Sequence, residues 1–336
     1  MIPGLFAIVL AAPVCGTLAA NGVATGPRNY VFFGSERERI QEETFLGNAN
    51  IAGAQLRYSW RELEPGRDQY QLQPILDDLA FLEQHGKRLW IQLQDVSFSD
   101  HAPVPNYLRT DPAFGGGVAP QYDIPGDDES KARFGGWASK RWDPAMRARF
   151  IKLIDVLGRA LDGRIEGLNF AETALGFGES GKLHPSGFSY DGYVAGIREI
   201  MTAERRAFSR SCVIVYANFM PGEWLPSNDR GYLRAIYAHA DSIGVGVGGP
   251  DLLPHRRGQQ NHSLPLIASR SADIPAGVAV QDGNLEERNP ATNARVSVEE
   301  LYRFARDKLR VNYIFWGTEE PYYTARILPY IRGLGK

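Results

Sequence analysis

Short apolar runs alternate along the chain with longer stretches whose apolar residues recur every three or four positions. The runs fall at residues 30–33, 51–58, 88–93, 165–171, 213–218, 242–247, 276–281 and 312–316, and continuous runs of this kind predict strands buried on both faces. Helical spacing follows most of them. Residues 72–85 place Ile75, Leu76, Leu79 and Leu82 on one face, and 144–161 do the same with Phe150, Ile154, Leu157 and Leu161. Further helices are predicted at 36–48, 190–208, 229–239, 263–271, 298–309 and 322–334. Eight strand–helix units in succession predict an α/β protein with a parallel sheet closed into a single (β/α)8 TIM barrel. An open doubly wound sheet is the alternative, but no glycine-rich dinucleotide turn follows the first strand. The longest connection is the loop after strand three, residues 96–143, which carries Gly115-Gly116-Gly117 and Gly135-Gly136. Connections of that length usually serve function.

Composition narrows the classes. Of 336 residues, 43% are hydrophobic and 23% charged, which is ordinary globular material and enough for one barrel. A formal charge of −2 lacks the basic face that a nucleic-acid binder needs. Residues 1–20 stand apart, being uncharged, mostly apolar and small, and ending in Thr17-Leu18-Ala19-Ala20. They resemble a secretory signal peptide, which assigns the barrel to residues 21–336 and the mature protein to the periplasm or the exterior. A membrane anchor is the alternative reading of the same segment. No later stretch approaches the ~20 apolar residues of a membrane span. His85, His101, His184, His239, His255 and His262 show no metal-ligand spacing, so neither metal nor cofactor is expected.

The C-terminal ends of barrel strands carry the chemistry of such folds. The fourth run, Leu168-Asn169-Phe170-Ala171-Glu172-Thr173, ends in a carboxylate. Glu172 is thereby a candidate proton donor or, alternatively, a salt-bridge partner for Arg57. Gln94 and Asp95 end strand three, Asp251 ends strand six, and Gln281 and Asp282 end strand seven. Trp316 closes strand eight, with Glu319 and Glu320 just beyond it. Trp60, Trp224 and Trp316 fall at or after strands two, five and eight, while Trp137 and Trp142 lie in the long connection. Flat rings beside polar groups suit a sugar pocket, where a pyranose face stacks and its hydroxyls form hydrogen bonds.

The segment Arg57-Tyr58-Ser59-Trp60-Arg61-Glu62-Leu63-Glu64-Pro65-Gly66, followed by Asp68-Gln69-Tyr70, resembles the (β/α)8 glycoside hydrolase clan that includes cellulases and β-galactosidases. Lys87 to Gln94 and Pro105-Asn106-Tyr107-Leu108 resemble the neighbouring clan segments. The resemblance implies a glycosidase acting on a polysaccharide or oligosaccharide with two carboxylates. It implies Glu172 as general acid/base, with Arg57 and Trp316 at the sugar; Trp60, Gln94, Asn169, Asp251, Gln281 and Glu319, at or near the same rim, are further candidate sugar contacts. The chain departs from the clan pattern in two places. Ala171 replaces the Asn that normally precedes the acid, and Gln281 stands where the strand-seven nucleophile is expected; an amide cannot attack the anomeric carbon. Asp282, one residue later, is the first choice for the second carboxylate or else a turn former, with Asp251, Glu319 and Glu320 as substitutes. The rival expectation is a catalytically silent barrel that binds carbohydrate.

Overall fold

Valine, isoleucine and aromatic residues crowd the apolar runs, and such side chains fit a pleated sheet covered on both faces. A computed structural model of the protein describes residues 26–335; the expected leader, residues 1–20, lies outside them. The strands in chain order are β1 (Arg28–Gly34), β2 (Ile51–Ser59), β3 (Arg88–Gln94), β4 (Val96–Ser97), β5 (Val118–Asp123), β6 (Arg133–Ser139), β7 (Gly167–Phe170), β8 (Cys212–Tyr216), β9 (Gly246–Gly249), β10 (Ala276–Val280) and β11 (Tyr313–Trp316). Eight of them close into a parallel barrel in the order β1-β2-β3-β7-β8-β9-β10-β11, with β11 pairing back onto β1. The remaining three form an antiparallel sheet, β4-β6-β5. The long connection after β3 therefore has secondary structure of its own. No helix among the described residues is long and apolar enough to cross a membrane.

Most helices fall where the apolar spacing predicts them, including Gln73–Gln84, Pro144–Leu161 and Tyr190–Ala207. Residues 36–48 instead break into a 3-10 turn, Arg37–Gln41, and a single helical turn, Glu43–Leu46. Only Ile40 and Phe45 are buried in those two turns, too few to make a continuous apolar stripe. Strand six starts later than residues 242–247 suggest. The helix Tyr232–Ile243 runs through Ser242, and Gly244 at φ 69° ends it in the left-handed conformation that favours glycine, leaving Gly246–Gly249 for β9.

Alternation along each strand sorts side chains into two cores. The larger lies between barrel and helices and includes Leu56, Ile91, Leu168, Val213, Val278 and Ile314. The smaller fills the barrel with Tyr30, Phe32, Trp90, Ile214, Tyr216, Tyr313 and Phe315. The Trp90 ring centroid sits 4.8 Å from that of Tyr313 and 4.9 Å from that of Phe315. Inward positions facing these rings must be small. A Cβ on Gly53, Gly167 or Gly277 would come within 2.7, 2.7 and 2.9 Å of Tyr30, Trp90 and Phe315 respectively. The Gly167→Ala substitution is expected to overpack the interior and lower stability by about 1–3 kcal/mol, read from urea unfolding followed by tryptophan fluorescence.

Candidate active site

Strand β7 stops at Phe170, and hydrogen bonds from outside the sheet fix the residues after it. The buried Arg141 donates from Nη2 to the Ala171 carbonyl at 3.1 Å and from Nη1 to the Glu172 carbonyl at 2.8 Å. Its other donors reach Asp95 Oδ1 at 2.6 Å, Asp95 Oδ2 at 2.8 Å and the Tyr193 hydroxyl at 3.1 Å. The Tyr193 hydroxyl donates in turn to the Thr173 carbonyl at 2.9 Å. Asp95 is fully buried and also accepts from Ser139 Oγ. It is a structural anion that holds Arg141, and its oxygens are not offered to a sugar.

With its backbone held in this way, Glu172 turns its carboxyl toward the neighbouring strand end. Asn218, just beyond β8, donates Nδ2–H to Glu172 Oε2. The Asn218 amide is itself oriented, its Oδ1 accepting from the Phe219 N–H at 2.9 Å. Burial pushes the Glu172 carboxyl up to about 7, and the negative charge of Asp251 adds to the rise, while Asn218 and Arg141 oppose it. Asp251 follows β9 and is half-buried; burial raises its carboxyl too, against the Asn284 Nδ2–H that it accepts at 3.0 Å. Two acids thus share one electrostatic environment at the C-terminal mouth of the barrel.

Several expected site residues are placed elsewhere. Asp282 is exposed, and the acid whose charge acts on Glu172 is Asp251. Glu319 Oε2 accepts the Gly283 N–H at 2.8 Å and so caps the turn carrying Asp282, while Glu320 Oε2 accepts from the Thr324 hydroxyl at 2.7 Å and the Thr324 N–H at 3.3 Å. Gln281 donates Nε2–H to the Pro250 carbonyl at 2.8 Å, tying strand seven to the Asp251 segment. Gln94 is buried, and its amide bonds the Val96 carbonyl. Asn169 lies below the mouth with no exposure, accepting from Trp90 Nε1 at 2.9 Å and Gln55 Nε2 at 3.0 Å; it is a core amide, not a sugar contact.

The tryptophans divide into packing and exposed rings. Tyr313 and Phe315 point into the barrel, so Trp316 points outward, where it is fully buried and donates to Asn29 Oδ1 at 2.9 Å. It cannot floor a sugar site. Trp60 is also packing: its ring centroid lies 5.0 Å from that of Phe150, and its Nε1 donates to Glu64 at 2.8 Å. Trp224 is different, 48% exposed and stacked on Phe219. Its ring helps line a cavity of about 320 Å³ with Ile124, Glu129, Gly178 and Asn228. One wall of this cavity joins two rim loops, because Tyr122 N–H bonds the Gly176 carbonyl at 2.7 Å and Glu129 accepts from the N–H groups of Glu179 and Ser180, each at 2.7 Å.

Arg57 is where the sequence places it, inward at the end of β2. Its Nε donates to Gln92 Oε1 at 3.1 Å, and its guanidinium lies over the Phe32 ring. It does not pair with Glu172. Sequence reasoning missed Arg141 and Asn218. Asn218 had a usable signal, since it stands two residues beyond the inward Tyr216; Arg141 had none, lying far along the chain from everything it holds. Among the described residues no group of three or more His, Cys, Asp or Glu side chains is arranged to hold a metal.

No family model matches the chain, and no curated protein matches it. Solved structures do. The chain is similar to a GH10 endoxylanase retrieved from a sugarcane soil metagenome, at 15% identity over 87% of this chain and 86% of that one, TM-score 0.50. It is similar to xylanase 10B from Thermotoga petrophila in complex with xylobiose, at 12% identity over 86% and 81%, TM-score 0.50. A GH5_18 protein from Streptomyces cattleya in complex with Manβ1-4GlcNAc aligns at 13% identity over 87% and 70%, TM-score 0.54. What these neighbours share with the chain is the fold, a (β/α)8 barrel of the kind that glycoside hydrolases use.

Two outcomes follow from the site's electrostatics. Arg141→Met leaves Asp95 buried without its cation and should cost about 3–5 kcal/mol in chemical denaturation. For Glu172 the raised carboxyl means that the folded state holds its proton more tightly than the unfolded chain does. Its contribution is complete at acidic pH and is lost as pH rises through about 7. Between pH 5 and 8 the unmutated protein should therefore lose about 2–3 kcal/mol relative to Glu172→Gln, measured by urea titration at both pH values.

Proposed function

We propose that the protein is a glycoside hydrolase in which Glu172 protonates the departing glycosidic oxygen and Asp251 acts as base for water. The observation that carries this reading is a buried rim Glu whose carboxyl is pushed up to about 7 by burial, with the charge of a second acid, Asp251, acting on it. A general acid has to be protonated at working pH, and burial supplies that condition here. In the reaction, the Glu172 O–H proton passes to the bridging oxygen as its bond to the anomeric carbon breaks. Asp251 takes a proton from the water whose oxygen bonds that carbon, leaving a hemiacetal and an alcohol.

The arrangement favours inversion of configuration. Strands β7 and β9 flank β8, so their ends stand about two strand spacings of ~4.8 Å apart. Strand ends that far apart leave room for a water between the two side chains, which inverting enzymes, with carboxyls roughly 6.5–9.5 Å apart, require. Strand seven supplies Gln281, which offers no nucleophile. The glycosidase folds of the structural neighbours support a carbohydrate substrate, and the leader-like residues 1–20 support a role in the periplasm or outside the cell.

A barrel that binds glycan without cleaving it is the second reading, favoured by the Gln281 amide tied to the Pro250 carbonyl. Release of reducing ends from a glycan panel separates the two. Hydrolysis is expected, falling about 10²–10⁴-fold in kcat for Glu172→Gln and strongly for Asp251→Asn, with Asp282→Asn close to the unmutated enzyme. Proton NMR of the first product formed should show an inverted anomer. Glycan binding that survives Glu172→Gln, with no reducing ends from the unmutated protein, supports the binding reading instead.

A further inference from the structure

Arg57 has unused hydrogen-bonding capacity. Of its five N–H groups, only Nε–H has an acceptor among the described residues, the Gln92 side chain at 3.1 Å. The residue is half-buried in the barrel mouth, one face of its guanidinium 5.3 Å from the centre of the Phe32 ring. Among other partly or fully buried arginines, Arg37, Arg141 and Arg149 have carboxylates beside them, Glu62, Asp95 and Glu64, and Arg205 and Arg270 have several backbone carbonyls as acceptors. Arg57 has neither among the described residues. Burial lowers its pKa, and no acidic neighbour offsets that effect. A partly desolvated cation with a free planar fork and no resident anion is a receptor for an incoming one.

We infer that the cleft takes an acidic glycan and that Arg57 receives the carboxylate of a uronic acid unit. This rests on the carbohydrate reading above and deepens it by naming the substrate class. Position around the barrel supports the assignment. β2 stands opposite β9 in the closed strand order, with β7 between them along one side. Eight strands ~4.8 Å apart and tilted by ~36° make a barrel roughly 15 Å across between backbones. With side chains reaching in from Arg57 and Asp251, the gap accommodates about one pyranose ring. The Asp251 charge repels a carboxylate from its own side, and Arg57 attracts it on the other. The sugar's orientation is fixed by those two charges, with the ring held between Arg57 and the two acids. The neutral Gln281 adds no competing anion at strand seven.

The test compares oligogalacturonate, oligoglucuronate and oligomannuronate, each against its own methyl ester, by titration calorimetry on the full protein carrying Glu172→Gln to prevent turnover. For at least one backbone the free acid should bind about tenfold or more tightly than the ester, with the preference shrinking as salt rises. Adding Arg57→Met should erase the preference, and Arg57→Lys, which keeps the charge without the fork, should retain part of it. Circular dichroism checks that each variant is folded; if the Met variant is not, the Lys variant and the salt series decide. Equal binding of acid and ester, or an acid preference that survives Arg57→Met, overturns the inference. Preference for a sulfated neutral oligosaccharide over every uronate overturns the carboxylate assignment. Binding of neutral glycans alone, unaffected by Arg57→Met, defeats this inference and leaves the carbohydrate reading standing; binding of no glycan defeats both.

Discussion

A guanidinium with almost no access to water must find acceptors for all five of its N–H groups inside the protein. Arg141 finds two on Asp95, one on Tyr193, and one each on the carbonyls of Ala171 and Glu172. The last two matter most, because they take the backbone where β7 ends and turn it out of the sheet. Regular alternation would place Glu172 opposite in facing to the inward Asn169; the Arg141 clamp ends that regularity and brings its carboxyl to Asn218. A buried ion pair is weak evidence for stability as such. Here its consequence is positional, since the direction of the candidate acid depends on it.

Charge at the mouth is arranged with little redundancy. Glu172 and Asp251 stand on one side, both shifted toward their neutral forms by burial, and Arg57 stands on the other with no acid beside it. Beneath them the floor is polar but mostly self-satisfied, with Asn169 bridging Trp90 and Gln55, and Gln55 also donating to the Tyr216 hydroxyl at 3.2 Å. Polar groups that satisfy one another orient the side chains above them without competing for a ligand.

The barrel was legible because buried strands need continuous apolar runs, and the chain supplies eight of them. Glu172 and Arg57 were legible because each ends such a run. The tryptophans misled for a reason of parity. Trp316 ends a strand, but alternation from Tyr313 and Phe315 turns it toward the helices, and position along the chain alone ignores that alternation. For Asp282 the deciding factor is local geometry, which the sequence does not display. Gln281 and Asp282 directly follow the expected strand, yet the turn capped by Glu319 leaves Asp282 exposed, while Gly248-Gly249-Pro250 at the end of β9 leads into Asp251 at the mouth. The Arg141 clamp left no trace, because its partners come from three separate stretches of chain and pair with it only after folding.

The seam between the third and fourth rim loops has an evolutionary reading. Tyr122 and Gly176 share a backbone hydrogen bond, and Glu129 holds the turn at Glu179 and Ser180. A Cβ on Gly176 would lie 2.1 Å from the Tyr122 carbonyl, so the two backbones approach as closely as glycine permits. Rim loops of barrels are ordinarily free to lengthen and shorten one at a time, which is how the fold acquires new specificities. These two are joined backbone to backbone, so an insertion in either would disturb the other and the pair constrains the rim as one unit.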